Sequence, residues 1–266
     1  ATQLSLVRAP NEHRRASVPT NELAPFMSAT SRVAHSDPLG VLRNGEMEIV
    51  GRMPYSSNAT FLVKIFVDEV EQCQAIYKPL KGEQPLWDFE PGLFRREVAA
   101  YELSEALGFD LVPPTVVRDG PFGEGSVQWF IEANPELHYF TFIEDHPETH
   151  DQLRLMAIFD IVANNTDRKG GHVLLDSNGH IWGIDHGVCF SADFKLRTVI
   201  WDFATEKLSA DHLSALEVIS QQVPLRVATL LNAEEVEALK ERVEWLLENK
   251  VLPYDPSGRR VPWPLL

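Results

Sequence analysis

The sequence predicts an α+β fold made of two closely packed lobes, the first rich in strands and the second mostly helical. Short segments rich in Val, Ile and Phe recur up to about residue 132, with a single helix among them. Beyond that point helical periodicity dominates. A chain of 266 residues has room for one large domain or for two such lobes, and it is too short for several independent domains.

Residues 1–40 are polar and mixed in charge, and prolines interrupt them at Pro10, Pro19, Pro25 and Pro38. No helical or strand period emerges there, so we predict a flexible N-terminal arm. The rest of the chain is expected to form an N-lobe at 41–135, a C-lobe at 136–252 and a C-terminal tail at 253–266.

The N-lobe strands are predicted at 46–51, 60–67, 74–78, 112–118 and 126–132. A small polar loop at 52–59 joins the first two. Pro79 lacks a backbone N–H and should end the third strand directly after Lys78. The helix is predicted at Leu93–Leu107, because Gly108 suits the left-handed position that follows a helix.

After a linker near 133–140, the C-lobe begins with a helix at 151–163 that is apolar nearly all round and therefore buried. A hairpin is predicted at 173–176 and 180–184, with a Ser-Asn-Gly turn between its strands. Two further helices are expected at 209–222 and Ala233–Asn249.

The composition argues against several classes of partner. The formal net charge of −15 disfavours extended contact with nucleic acid or with an anionic bilayer, since clustered Lys and Arg drive both. We see no run approaching the ~18 apolar residues of a membrane span, and no signal peptide. Cys73 and Cys189 have no metal-type spacing, so we expect reduced structural thiols in a cytoplasmic protein.

Two acids stand in the arrangement that phosphoryl transfer requires. Asp167 lies in a polar loop after the buried helix, and Asp185 follows the predicted hairpin. The hairpin should return the chain so that the second acid lies beside the first. One acid can orient or deprotonate an attacking hydroxyl, while the other holds Mg²⁺ between nucleotide phosphates. Either acid alone would more often be an ordinary turn residue.

A carboxylate on the N-lobe helix also needs explanation. Glu97 falls between Phe94 and Tyr101, on the face that should pack against the sheet. A carboxylate that points toward a core requires a cationic or hydrogen-bonding partner. Lys78 is the partner we expect, and Arg96 or Arg118 is the alternative.

The motif Asn-Thr-Asp-Arg at 165–168, followed by a hairpin and Ile-Asp-His-Gly at 184–187, resembles phosphatidylinositol 3-/4-kinases. The likeness is greatest to the type II phosphatidylinositol 4-kinases, and it extends to HipA-type toxin kinases. Upstream, Ala-Ile-Tyr-Lys-Pro-Leu-Lys-Gly-Glu-Gln-Pro at 75–85 is similar to their phosphate-positioning segment. The resemblance covers about 46–205, and the chain is identified as a member of an actinobacterial family described as related to these kinases.

This resemblance implies a bilobal protein-kinase-like fold, with a small β-rich N-lobe and a helical C-lobe, that binds ATP and Mg²⁺. It implies that Asp167 acts on the acceptor hydroxyl, that Lys78 binds phosphate, that Glu97 fixes Lys78 and that Asp185 binds the metal. His186 is expected to pack or to orient Asp185.

Further residues are expected at the nucleotide. The loop with Ser56, Ser57 and Asn58 would cover the phosphates, although it lacks a Gly-x-Gly pattern and could be a plain hairpin loop. The strand that carries Trp129, Phe130, Ile131 and Glu132 would meet adenine, or it is simply a buried strand.

The chain departs from the family at His172, where the related kinases normally have Asn as a second metal ligand. Imidazole favours borderline ions over Mg²⁺. Three outcomes stay open at this point: one-metal catalysis through Asp185, a preference for Mn²⁺, or nucleotide binding with poor turnover. Lys169 also stands where relatives often have His or Gly.

The leading function is an ATP-dependent phosphotransferase, and the alternative is a nucleotide-binding pseudokinase that acts as a regulatory or signalling module. A small-molecule kinase of the aminoglycoside type is a third reading. Segment 186–202 would select the acceptor, and its cations are Lys195 and Arg197 alone. A polyanionic lipid headgroup needs more cations, so a protein or small-molecule hydroxyl is expected more than a lipid hydroxyl.

Overall fold

The computed structural model of the chain describes residues 35–54, 56 and 58–266. Its strands are β1 (Glu46–Arg52), β2 (Phe61–Val67), β3 (Val70–Pro79), β4 (Thr115–Gly120), β5 (Gly123–Trp129), β6 (Val173–Leu175) and β7 (Ile181–Gly183). Its α-helices are α1 (Pro38–Asn44), α2 (Leu93–Leu107), α3 (Tyr139–Asp145), α4 (His150–Ala163), α5 (Ala210–Gln221), α6 (Leu225–Ala228) and α7 (Ala233–Asn249). The predicted α+β fold, with strands first and helices after them, is confirmed.

The N-lobe is built on one antiparallel sheet with the order β1-β2-β3-β5-β4. Strand β3 is an inner strand, and Lys78 near its end pairs with Ser126 of β5. Successive side chains of a strand point to opposite faces. Cys73 and Tyr77 accordingly lie in the sheet core that α1 covers, while Lys78 points the other way, into the cleft.

Helix α1 corrects the prediction that residues up to 40 lack regular structure. Asp37 caps its first turn by accepting the N–H of Gly40 (2.8 Å), and Pro38 occupies the first turn, where its missing N–H costs nothing. Val41 and Leu42 are then buried against the sheet. The flexible arm predicted for residues 1–34 lies outside the described residues.

Several other boundaries also differ from the prediction. The segments predicted at 112–118 and 126–132 are β4 and β5, which start and end elsewhere, so Phe130–Glu132 lie beyond the strand. The predicted linker near 133–140 overlaps α3, which begins at Tyr139. The hairpin β6–β7 is in place but shorter than predicted. The division into an N-lobe, a C-lobe and a tail stays a proposal.

The C-lobe has a separate apolar core around α4, whose Phe159, Ile158 and Met156 are buried on several sides. Helix α2 contributes Leu103 and Leu107 to this core although it lies between β3 and β4 in sequence. It also packs on β4 and β5. Helix α2 therefore joins the sheet to the helical lobe, which positions its Glu97 between them.

No α-helix in the part of the chain that the structure describes combines the length and the apolar character needed to cross a membrane.

Candidate active site

A cleft of about 450 Å³ lies between the sheet and the helical lobe, a size that suits a small-molecule ligand. Most of the residues predicted for the site line this cleft: Ser56, Asn58, Lys78, Glu97, Trp129, Phe130, Ile131, Asp167, His172 and Asp185. Within the described part of the chain, Glu132 does not line it. Ser57 lies outside the described residues.

Lys78 contacts two carboxylates at once. Its Nζ donates to Oε1 of Glu97 and to Oδ1 of Asp185, the latter at 2.8 Å. Burial alone would lower the pKa of Lys78, but attraction by Asp185 and Glu97 outweighs burial and holds this pKa above its ordinary value. The ammonium is therefore charged at neutral pH and can bind phosphate oxygens.

Glu97 is nearly inaccessible to solvent, and both its oxygens are used. Oε1 accepts from Lys78, and Oε2 accepts the backbone N–H of His186 at 2.9 Å. Neither Arg96 nor Arg118 is bonded to it in the contacts described, so the partner is the one expected from the helical face. Glu97 thus connects β3 with the segment directly after Asp185.

The neighbouring residue Arg96 fixes α2 to the helical lobe. It donates to the carbonyl oxygen of Cys189 (2.8 Å) and forms a buried ion pair with Glu235 at the start of α7. Its guanidinium also lies 4.9 Å from the ring centroid of Phe89. No local sequence pattern predicts this role of Arg96, because the two paired residues are 139 positions apart.

The loop that carries Asp167 (residues 165–172, the Asp167 loop) is held by a fully buried ion pair. Arg168 is 0% exposed, and its guanidinium bonds both carboxylate oxygens of Asp160 at 3.0–3.1 Å. Its other N–H groups donate to the backbone oxygens of His172 (3.2 Å) and Ile184 (3.0 Å). One arginine therefore ties α4, the Asp167 loop and the strand that leads to Asp185.

His186 also belongs to this buried network. Arg168 donates to its Nε2 at 2.7 Å, so this nitrogen is the acceptor and the ring is neutral. Burial first, and the positive charge of Arg168 next, lower the pKa of His186 well below its ordinary value. His186 is thus a packed structural residue rather than a base facing the cleft.

Asp167 lies at the cleft with Lys169 as its close ionic neighbour, at 3.2 Å from Nζ to Oδ2. Burial raises the pKa of Asp167 above its ordinary value, and Lys169 opposes that rise. The side chain of Asn165 accepts the backbone N–H of Asp167 (3.0 Å) and fixes the turn. A carboxylate with a raised pKa, next to open space, can accept a proton from a hydroxyl.

Asp185 occupies a left-handed backbone conformation, with φ +61°, that is uncommon for a residue with a side chain. Its Oδ2 lies 3.5 Å from Nε2 of His172. Lys78 first, and His172 next among the attractive groups, lower the pKa of Asp185 below its ordinary value. The carboxylate is therefore ionised at neutral pH and available to a cation.

The side chains present fit a divalent metal that takes some of its ligands from the protein and the others from phosphate. Burial lowers the pKa of His172, so its ring is neutral, and its Nδ1 has no hydrogen-bond partner within the described part of the chain. No group of three or more His, Cys, Asp or Glu residues converges as a complete metal site among the described residues. Mg²⁺ typically takes one or two carboxylates and completes its shell with phosphate and water, which suits Asp185.

Comparison with known proteins agrees with this geometry. The family model for phosphatidylinositol 3- and 4-kinase matches residues 114–227, which include Asp167 and Asp185. Protein Rv2133c of Mycobacterium tuberculosis (strain ATCC 25618 / H37Rv) is 34% identical over 274 residues, covering 89% of this chain and 98% of that protein. The chain belongs to the phosphatidylinositol 3-/4-kinase-like superfamily.

Solved structures that resemble this kinase-like chain include hydra Fam20 with sugar, with a TM-score of 0.51 and 13% identity over 79% of this chain and 87% of that one. The Helicobacter pylori proinflammatory kinase CtkA has a TM-score of 0.45 and 14% identity over 79% of this chain and 94% of that one. The likeness to hydra Fam20, together with the family model, shows the bilobal kinase-like fold expected from the motifs.

The segment expected to meet adenine is partly used within the sheet of this kinase-like chain. The N–H of Trp129 donates to Pro114 (2.8 Å) and that of Phe130 to Gln74 (3.1 Å). Strand β5 ends at Trp129, so Ile131 and Glu132 are not part of a strand as predicted. The N–H groups of Trp129 and Phe130 are therefore not available to a nucleotide, whereas the side chains of Phe130 and Ile131 do face the cleft.

The loop before β2 contacts residues 82–84, which follow Lys78 and Pro79 in the chain. Oδ1 of Asn58 accepts the N–H of Gln84 (2.8 Å), and the N–H of Ala59 donates to Gly82 (2.8 Å). A methyl group on Gly82 would lie 2.6 Å from Cβ of Ala59, so this close approach requires glycine. Ser56 and Asn58 line the cleft near Lys78, where phosphates are expected.

Proposed function

We propose that the chain is an ATP-dependent phosphotransferase that moves the γ-phosphoryl group of ATP to an alcohol. The observation that carries this proposal is the position of Lys78, bonded to Glu97 and Asp185 together in the cleft that Asp167 also lines. A cation for phosphate, an acid for metal and an acid for the acceptor hydroxyl are the parts that phosphoryl transfer needs.

In the proposed reaction the acceptor hydroxyl gives its proton to the Asp167 carboxylate while its oxygen bonds to the γ-phosphorus. The bond from the γ-phosphorus to the oxygen that bridges to the β-phosphate breaks, and ADP leaves with that electron pair. Lys78 donates to the α- and β-phosphates, and Glu97 holds its ammonium in place. Asp185 and His172 would hold Mg²⁺ or Mn²⁺, which would supply charge neutralisation at the phosphates.

The acceptor is proposed to be a protein or small molecule rather than a phosphoinositide. Lys195 in segment 186–202 already pairs with Asp88 (3.4 Å) and lies 5.6 Å from the ring centroid of Trp87. Arg197 is the remaining cation of this segment, and it is exposed. A lysine that is already paired with a carboxylate and a single exposed arginine are too few cations to bind a polyanionic headgroup well. The cytoplasmic location expected from the sequence stays a prediction.

The second candidate is a pseudokinase that binds nucleotide and acts through protein contacts. One observation favours it: His172 stands where a metal-binding Asn is expected. The presence of Asp167 in the same cleft as Lys78 and Asp185 favours the enzyme over the pseudokinase.

Calorimetric titration with ATP, followed by measurement of ADP release with Mg²⁺, Mn²⁺ or EDTA, tests the proposal. We expect ATP to bind and to turn over with at least one metal and not with EDTA, with water or the protein itself as acceptor. Binding without turnover under either metal would favour the pseudokinase. Absence of ATP binding would contradict both candidates.

Replacing His172 by Asn is expected to shift metal preference toward Mg²⁺. An amide oxygen is the harder ligand, so the ratio of Mn²⁺-supported to Mg²⁺-supported turnover should fall by about tenfold, the scale of substitutions around metal sites. His146→Asn serves as the control, because His146 lies outside the cleft and pairs with Glu148. An unchanged ratio in His172→Asn would show that this ring is not a ligand.

A further inference from the structure

The C-terminal tail (residues 253–266) is organised by a carboxylate at its start. Asp255 accepts the backbone N–H groups of Ser257 (2.9 Å) and Arg260 (2.7 Å). These bonds close a turn that directs the chain from Arg260 onward along the helical lobe. The tail lies beyond residues 114–227, so the family model assigns it no part in the site.

The first contact of the tail is with segment 186–202. The carbonyl oxygen of Arg260 accepts two hydrogen bonds, from the N–H of Thr198 (3.1 Å) and from the indole Nε1 of Trp201 (3.0 Å). The guanidinium of Arg260 also lies 4.8 Å from the ring centroid of Phe194. One tail residue therefore fixes three positions of the segment that follows Asp185.

That segment in turn is paired with the Asp167 loop. Arg168 donates its backbone N–H to Arg197 (3.0 Å) and accepts the N–H of Val199 (3.1 Å). The hydroxyl of Thr198 donates to the buried carboxylate of Asp160 (3.1 Å). The tail, segment 186–202 and the Asp167 loop thus form three consecutive layers.

The second contact of the tail is with the Asp167 loop itself. The N–H of Gly170 donates to the carbonyl oxygen of Leu265 at 2.7 Å. A Cβ on Gly170 would lie 2.7 Å from the side chain of Leu266 and 3.1 Å from that of Phe140, so tail, loop and α3 meet there without spare space. This contact is three residues from Asp167.

The cleft itself does not involve the tail. Among the described residues that line the cleft, none belongs to 253–266, whereas Asp167, Lys169 and His172 of the loop do. Loss of the tail would therefore leave the binding surface for nucleotide intact. It would remove hydrogen-bond acceptors from the buried backbone N–H groups of Gly170 and Thr198.

We propose that the tail is a positioning element of the phosphotransfer site, which holds the Asp167 loop and segment 186–202 in the arrangement that transfer requires. This inference rests on the proposed function for its effect on turnover. Phosphoryl transfer depends strongly on placement of the attacking oxygen, so a loosened loop lowers kcat. ATP binding through Lys78 and Asp185 does not depend on the tail.

The test compares the full chain with a variant that ends at Leu252, which removes the acceptors of the Gly170 and Thr198 N–H groups. We expect kcat for ATP turnover to fall at least tenfold, the Kd for ATP to change less than threefold, and amide hydrogen exchange in 165–172 to accelerate. A synthetic peptide of residues 253–266 should restore kcat and exchange protection, and a scrambled peptide should not. Trp263→Ala is the matched control, because this tail side chain is 86% exposed.

Unchanged kcat together with unchanged exchange in 165–172 would overturn the proposal. Should the full chain show no turnover, the proposed function falls, and the exchange data with and without peptide still decide whether the tail holds the loop. Leu266→Asp provides a second variant if the truncated chain does not fold. A charge against Phe140 should detach the tail end, raise exchange at Gly170 and lower kcat, and normal values for both would overturn the proposal.

Discussion

Replacing Asp167 by Asn should lower ATP turnover by about 10²–10⁴-fold, the usual contribution of a positioned general base. The change keeps the size of the side chain but removes its capacity to accept a proton. Lys78 and Asp185 are unaffected, so the Kd for ATP should remain within a few-fold of the value for the unsubstituted chain. Single-turnover measurements of ADP release, beside calorimetric titration with ATP, separate these two quantities.

The control for this change is Asp151→Asn, the same substitution on a side chain of α4 that is 98% exposed. It should leave turnover unaltered. In the unsubstituted chain, kcat should fall with acid at a pH above the ordinary pKa of an aspartate, because burial raises the pKa of Asp167. Turnover of Asp167→Asn at more than a tenth of the normal rate would remove Asp167 from the mechanism.

Replacing Arg168 by Met is expected to cost about 3–5 kcal/mol in the free energy of unfolding, the range for breaking a buried ion pair. The variant leaves the Asp160 carboxylate uncompensated at 0% exposure and takes donors from His172, Ile184 and His186. Urea unfolding followed by circular dichroism measures this change. Because a typical domain has about 5–15 kcal/mol in total, roughly a fifth or more of its stability is at stake.

Two companion variants test the cause. Arg197→Met removes an exposed arginine, and its effect should stay within about 0.5 kcal/mol. Asp160→Leu combined with Arg168→Met removes both charges, so the double variant should be more stable than Arg168→Met alone. Recovery should be partial, because Asp160 also accepts hydrogen bonds from Asn165 and Thr198. A double variant less stable than the single one would mean that packing, rather than charge, explains the loss.

Local patterns were sufficient for the parts of the site that depend on one element. The helical face of α2 predicted that Glu97 needs a cation, and the structure provides Lys78. The hairpin between the two acids predicted that Asp185 returns to the Asp167 loop, and both line one cleft. The strand-then-helix order predicted the α+β class, since periodicity reports secondary structure directly.

Other features depend on contacts that a local pattern cannot report. The pairing of Arg96 with Glu235 joins α2 to the start of α7, and the bond from Gly170 to Leu265 joins loop to tail. Helix α1 was missed for a different reason. Pro38 was interpreted as a breaker, although after Asp37 it suits the first turn of a helix.

Adjacent residues of α2 attach it to two different partners, Arg96 to Glu235 and Glu97 to Lys78. Swinging this helix outward, away from β3, would rupture at least one buried ion pair, at a cost of about 3–5 kcal/mol. At equilibrium fewer than about one molecule in a hundred would then occupy the swung-out state. A signal that opens this helix therefore has to supply at least that much free energy by binding the swung-out state more tightly.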